Sequence, residues 1–274
     1  MKSFQVSAGG IYAGHSKIDK APADLNSNHC HDKYEILYII EGSGRCVIEG
    51  IEYPIKPRTV FVFPPLVYHV VYVDEGVVYD RAVMHFDKKS VAESVTDILE
   101  SFGIDKNSVS PAAFYRADVV SDQIAFLFDR IEISESFPAS ERAKFLGLLL
   151  SELILLVSMS SQETVTHDEG ELGARVIRYL NEYVDRDISL DELARRFFVS
   201  KYYLCRAFKK HNGISVHGYI NQKRVMYAKQ LIEAGETASR AAYRVGFGDY
   251  SAFYRAYVKI VGNSPTAQTA EEEI

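Results

Sequence analysis

The sequence predicts an α+β protein of two domains. A β-rich front half closes as a small barrel with a helical extension, and an all-α back half holds two similar helix pairs joined by one long helix. Three observations carry this reading. Short β-rich runs broken by Gly and Pro fill the chain to Phe86, and helical spacing replaces them after Asp87. Charge divides the same way: residues 1–170 hold 15 basic and 25 acidic side chains, and residues 171–270 hold 16 basic and 9 acidic. In the back half a short pattern also repeats: Leu204-Cys205-Arg206-Ala207-Phe208 returns 49 residues later as Phe253-Tyr254-Arg255-Ala256-Tyr257.

Length and composition bound the function. The chain has 274 residues with 47% hydrophobic and 25% charged side chains, which predicts a soluble globular protein rather than a disordered one. The whole-chain net charge of −6 conceals a front at −10 and a basic segment, 171–270, at +7, so the back half is the candidate for nucleic acid. Cys30, Cys46 and Cys205 are odd in number and lack CxxC spacing, which fits a reducing compartment. The first residues lack a secretory layout, and no run of about 18 apolar residues exists. The expected address is the cytoplasm, with no membrane partner.

In the front half the predicted strands are Glu35–Ile40, Gly44–Ile48, Val60–Phe63, Tyr68–Val73 and Val77–Phe86. Glu41-Gly42-Ser43-Gly44 is a tight hairpin signal between the first two. Many short strands at such spacing favour a sandwich or barrel, assigned to 1–88. Ser90–Phe102, Ser121–Ile133 and Ala139–Met159 then read as helices of an extension over 89–159. The last has a broad apolar face that packs on the barrel and leaves a stripe for a partner helix. Residues 160–170 are polar and read as a linker.

Helices dominate from Leu172 to Pro265. Ser189-Leu190-Asp191-Glu192 is a capping box that opens a helix to Phe197, and Ser200 caps a second helix through Lys210. Two short helices with a three-residue break form a helix-turn-helix, whose second helix enters the major groove. Asp249 caps the corresponding helix of a second unit. Ser215–Ala234 between them reads as one helix, whose 20 residues span roughly 30 Å. Successive major-groove faces lie about 34 Å apart, so the linker has the reach to put both recognition helices on one duplex.

These residues carry a resemblance. Residues 172–268 are similar to the DNA-binding domain of the AraC family of bacterial transcription regulators. The shared pattern runs through Ser189-Leu190-x-x-Leu193-Ala194, Ser200-x-x-Tyr203-Leu204-x-Arg206-x-Phe208-Lys209, Gly213, Arg224, Ala228, Ala242-Tyr243-Arg244-Val245-Gly246-Phe247 and Ser264-Pro265. The resemblance directs Tyr202, Cys205 and Arg206 toward bases in the first unit, and Tyr250, Ser251, Ala252 and Arg255 in the second. Arg206 and Arg255 suit guanine, which Arg reads bidentately. Lys201, Lys209, Lys210 and Lys259 suit phosphates, which position without specifying sequence. The chain departs from the pattern at Phe198, where the family has Gly in the first turn, which predicts a turn made without an easy left-handed residue. Ala238 and Ala241 stand where larger aliphatics are common, and Gln268 replaces an aromatic.

In the front half, His29-x-His31-x-x-x-Glu35-x6-Gly42 followed by Pro64-Pro65-x-x-x-His69 resembles the two cupin motifs, so the barrel is cupin-like. Period-2 alternation puts His29, His31 and Glu35 on one strand face, with His69 arriving from a facing strand. Three readings stay open. His29, His31, Glu35 and His69 are a complete ligand set for Zn, Mn, Fe or Ni. The same residues, with Arg81, line a polar effector pocket, or they are buried histidines satisfied by backbone. The resemblance implies a homodimeric, non-enzymatic transcription regulator, with activation among its modes, controlled by a small effector of carbohydrate type. Its implied partners are double-stranded DNA, that effector and RNA polymerase. The alternative is a metal-dependent cupin enzyme fused to a DNA-binding domain.

Overall fold

The computed structural model describes residues 3–23, 25–102, 113–163, 172–183 and 188–266. They form two compact units: residues 1–28 with 33–167, and residues 168–274 together with 29–32.

The first unit is built on antiparallel strands β1 (Phe4–Ala8), β2 (Ile11–Ile18), β3 (Asn26–His29), β4 (Tyr34–Glu41), β5 (Gly44–Ile48), β6 (Ile51–Ile55), β7 (Thr59–Phe63), β8 (His69–Val73), β9 (Tyr79–Phe86), β10 (Ala113–Arg116) and β11 (Ser161–Gln162). Seven pair in the order β1-β2-β9-β4-β7-β10-β11 and four in the order β3-β8-β5-β6. The alternation of β4 divides two cores. Ile36 and Tyr38 face outward with Met84 and Phe86, onto helical residues such as Phe128, Leu149 and Leu153. Leu37 and Ile39 face inward with Cys46, Ile48, Tyr53, Phe61 and Phe63, between the sheets. The middle of the barrel is therefore filled with apolar side chains, which confines polar chemistry to its ends.

Three expectations change. The barrel does not stop at residue 88, because β10 pairs with β7 and β11 pairs with β10. Phe114 is buried between the sheets and Tyr115 under the helices, which ties this late strand in. Ser161–Gln162, assigned to the linker, accordingly belongs to the sheet; residues 164–170 of that linker lie outside the described residues. Ser90–Phe102 is not one helix. Val91 and Ala92 are extended, separating a first 3-10 turn (Lys88–Ser90) from a second (Glu93–Val95) that leads directly into a short α1 (Thr96–Ser101). Burial of Val91, Val95 and Leu99 in the helix-side core holds that broken path.

Helices α2 (Ser121–Ile133) and α3 (Ala139–Ser158) cover the outer face of the larger sheet. On α3, Leu146, Leu149, Leu150, Leu153, Ile154 and Val157 are buried, while Leu148 (70% exposed), Leu155 and Met159 form an uncovered apolar stripe.

The second unit is helical: α4 (Leu172–Glu182), α5 (Leu190–Arg196), α6 (Lys201–Asn212), α7 (Val216–Glu233), α8 (Ala238–Arg244) and α9 (Tyr250–Val261). Ser189, Ser200 and Asp249 cap helices as the sequence predicts, and Ser215 and Thr237 cap two more; each accepts from the backbone N–H three residues on. Gly213 and Gly262 end α6 and α9 in the left-handed region, at φ of 71° and 89°. Leu193, Leu204, Phe208 and Tyr219 fill one half of this unit, and Ala241, Ala242, Phe253 and Tyr257 the other. The aromatic rings of Phe247, Phe253 and Tyr257 pack in series with successive centroids 5.4 Å apart, and the small Ala241 is fully buried.

Candidate effector pocket and nucleic-acid interface

In the barrel the polar residues gather around one carboxylate. Glu35 opens β4 and is only 3% exposed. The β4–β9 register sets it opposite His85, and β8 begins at His69. Both imidazoles converge on the same oxygen: His69 Nε2 lies 3.3 Å and His85 Nε2 3.2 Å from Glu35 Oε2. The rings are held by stacking. His69 lies flat on Phe63 at 3.9 Å between centroids, and His85 on Tyr12 at 5.5 Å. His69 Nδ1 sits 3.1 Å from the Val67 carbonyl oxygen, which only accepts, so Nδ1 carries a proton. Nearby, burial pushes the Cys46 thiol well above its ordinary pKa, with the Glu35 charge adding to the effect.

The structure brings together part of the predicted set. His31, Glu35 and His69 each offer a ligand atom, all within 4.8 Å of one another. His31 does not share a strand with Glu35, because β3 ends at His29 and β4 starts at Tyr34, breaking the alternation between them. The His29 side chain lies outside the described residues. Arg81 stands apart: it is four residues from His85 on β9, roughly 13 Å at the rise of a strand. Its Nε donates to Ser16 Oγ at 3.4 Å, and its guanidinium lies over the Tyr79 ring. His85, Tyr12 and Lys33 are absent from the sequence reading. A pocket of about 450 Å³ is lined by residues Ser7–Tyr12, Lys33 and His85, so the His85 ring leads from an open pocket to the buried Glu35. The period-2 series Tyr79, Arg81, Val83, His85 is the signal that marks His85 as inward-facing, once strand pairing is known.

In the second unit the base-directed set lies on accessible faces. Tyr202 is 75% exposed, and Arg206 stacks over its ring at 5.9 Å from the centroid. Cys205 is half-buried, and Lys209 and Lys210 are exposed at the end of α6. Lys201 is engaged with Asp191 at 2.8 Å. On α9, Ser251, Arg255 and Lys259 are exposed, whereas Tyr250 and Ala252 are half-buried. The two helix pairs superpose in sequence with a small slip. α5 precedes α8 by 48 residues and the caps Ser200 and Asp249 differ by 49, with one residue inserted in the second turn. By this register Phe198 corresponds to Gly246, and both have positive φ, 55° and 90°. The turn does need a left-handed residue, and Phe198 adopts that conformation despite its side chain. The reason is visible in the backbone: Val199 N–H bonds to Ala194 O as Phe247 N–H bonds to Ala242 O, both at 3.0 Å.

A family model described as an AraC-like ligand binding domain matches residues 18–155, and a helix-turn-helix domain model matches residues 193–270. The chain belongs to the AraC family of transcription regulators. As an AraC-type regulator it joins an N-terminal ligand-binding domain to a DNA-binding domain of the helix-turn-helix class. Among its relatives, a Bacillus subtilis (strain 168) protein named as an uncharacterized HTH-type transcriptional regulator, YbfI, is 27% identical over 224 residues, 82% of this chain and 80% of that one. The HTH-type transcriptional activator RhaS of Enterobacter sp. (strain 638) is 22% identical over 258 residues, 92% of each chain. A crystal structure of ToxT from Vibrio cholerae aligns with 94% of this chain and 97% of its own at 14% identity, with a TM-score of 0.39. Among the described residues, no helix is long and apolar enough to cross a membrane.

Proposed function

We propose that this AraC-type regulator is a homodimeric transcription activator controlled by a small polyhydroxylated effector of carbohydrate type, bound at the Glu35–His69–His85 end of the barrel. The observation that supports this most is the buried Glu35 carboxylate with two imidazoles on one oxygen, reached through the pocket that His85 and Tyr12 line. A buried carboxylate is costly unless hydrogen-bonded, and this group presents acceptors and imidazole N–H donors side by side, as paired hydroxyls require. Tyr12 offers a ring face for a sugar. Effector binding shifts the DNA affinity of the regulator only through its different affinity for the two states. The two recognition helices, α6 and α9, read successive major grooves, with Arg206 and Arg255 on bases, and RNA polymerase is then recruited. The name of RhaS supports activation. The uncovered stripe of Leu148, Leu155 and Met159 supports dimerisation through α3.

The test is a thermal-shift panel of sugars, small acids and fatty acids on the full chain and on Glu35→Gln. A sugar that raises the midpoint of the first and not the second is the expected result. A panel in which only apolar acids respond, or in which Glu35→Gln responds like the unaltered chain, refutes it.

His69 favours a second reading, a divalent metal in the same place. A metal-binding histidine commonly gives one ring N–H to a backbone carbonyl and turns the other nitrogen to the ion; here Nδ1 lies on the Val67 carbonyl, and Nε2 lies beside the Glu35 carboxylate, a candidate co-ligand. The donor set fits: His31, Glu35 and His69 would hold Zn, Mn, Fe or Ni, with His85 beside them. The ion would supply a fixed positive charge for effector hydroxyls. Stoichiometric metal in protein purified without a chelating tag, lost in His69→Ala, is the expected result of that reading.

A further inference from the structure

We infer that the second unit carries a DNA-backbone site apart from its two recognition helices: a basic groove between the first half of α7 and α9 takes a phosphate of the duplex, with His217 and Asn221 as its contacts on α7. The inference rests on the reading of α9 as a recognition helix.

The groove has a volume of about 650 Å³. Its charged lining is Arg224 from α7 and Arg255 and Lys259 from α9, and no acidic side chain lines it. The positive charge is fixed in position at its base. Arg224 is 8% exposed, and its Nη1 donates to the Gly246 carbonyl at 2.8 Å. A Cβ at Gly246 would come within 3.0 Å of that guanidinium, so glycine lets the turn close on it. Above the turn, a Cβ at Gly248 would meet nothing within 4 Å, which leaves open space over the backbone. His217 and Asn221 stand one helical turn apart, with Asn221 Nδ2 3.3 Å from His217 Nδ1, so both polar groups are held toward one another at the groove.

A bound phosphate needs several donors and a cation, which is what these side chains offer. The occupant is the DNA backbone because the groove is continuous with the base-directed face: Ala252 and Arg255 belong to both. The geometry of the duplex agrees. α7 has 18 residues, about 27 Å, against about 34 Å between major-groove faces, so sugar-phosphate backbone must cross between the recognition helices where α7 runs. Phosphate contacts there position the protein and read no sequence.

The experiment uses the full chain with two duplexes, a preferred site selected from a random pool and a scrambled sequence of equal length, across a salt series. Asn221→Asp puts a negative charge in the groove and is expected to weaken both duplexes alike, by about tenfold at low salt and less at high salt. His217→Ala is expected to weaken both by about threefold, with site preference unchanged. If Asn221→Asp unfolds the protein, Asn221→Ala carries the same test. Tyr250→Ala with Ser251→Ala serves as the separate check on α9, since both are base-directed and neither lines the groove; it should lower site preference and spare the scrambled duplex. Unchanged affinity in the Asn221 and His217 variants, with preference lowered in the Tyr250–Ser251 variant, overturns the groove inference alone. Unchanged preference in the Tyr250–Ser251 variant overturns the reading of α9 as a recognition helix instead. Thermal stabilisation by inorganic phosphate without any effect of Asn221→Asp on duplex affinity assigns the groove to a free anion and also overturns the inference.

Discussion

Replacing Phe198 with glycine should make the DNA-binding unit more stable, not less. Phe198 sits at φ 55° in the turn between α5 and α6, a conformation that costs an L-residue about 1–2 kcal/mol. Its side chain is 94% exposed, so almost no packing is lost when the ring is removed. Glycine brings back a cost of about 0.5–1 kcal/mol, because its unfolded state is freer. The balance is a gain of about 0.5–1 kcal/mol, or a few degrees in the midpoint of a unit of this size. The counterpart turn supplies the control. Gly246 stands at the matching position with φ 90°, and a Cβ there would press on the Arg224 guanidinium at 3.0 Å. Gly246→Ala should therefore lower the midpoint of the same transition by an amount equal to or larger than the gain from Phe198→Gly. Thermal unfolding of the full chain followed by circular dichroism reads both. A Phe198→Gly protein less stable than the parent by about 1 kcal/mol or more would refute the reasoning, because it would mean that the exposed ring contributes more than its strained backbone costs.

The other predictions concern binding, association and titration. Arg206→Ala should cost about 1–3 kcal/mol at one base position, whereas Lys209→Ala should weaken all sequences and lower the salt slope by about 0.9; equal effects of the two on site preference would contradict the division. Leu148→Glu with Leu155→Glu should convert the dimer proposed through α3 to monomer in sedimentation velocity without loss of helix content, since both side chains are exposed on α3; a parent chain that sediments as a monomer contradicts the proposal. With a mild alkylating reagent, the folded chain should lose one thiol quickly, Cys205. Cys30 and Cys46 are buried, and the Cys46 thiol is also held protonated. Rapid labelling of Cys46 would place water inside the barrel. Burial pushes Tyr38, Tyr79, Tyr115 and Tyr257 each up to about 12. The folded state thus keeps protons that the unfolded chain gives up near pH 10, so stability is level below that and falls as pH rises from about 10 to about 12. A denaturant midpoint that holds steady or rises across that window is the contrary result.

Much of the DNA-binding unit is legible locally. A helix cap is decided within four residues, and Ser189, Ser200 and Asp249 each bond as their positions in the sequence predict. The barrel is legible only in part. Runs such as Thr59–Phe63 declare themselves strands by composition, but their partners do not. His85 reaches Glu35 because β9 pairs with β4 across 50 residues, and no local pattern encodes that register. The Ser90–Phe102 run breaks as a helix for a related reason: helical spacing of apolar residues is also what a broken segment shows when Val91, Val95 and Leu99 are each pinned into a core.

The amino-acid sequence by itself determined the division into an acidic β-rich part and a basic helical part, the repeated helix pair and the caps at Ser189, Ser200 and Asp249. These follow from charge, period and capping, all of which act over a few residues. Tertiary structure alone decided which residues share the polar end of the barrel, that the sheet recruits Ala113–Arg116 and Ser161–Gln162, and that Phe198 takes a glycine's conformation. In each case the deciding energy is burial or hydrogen bonding between segments far apart in the chain. The backbone bonds around Val199 hold Phe198 in its turn against its own preference, as strand pairing holds His85 beside Glu35.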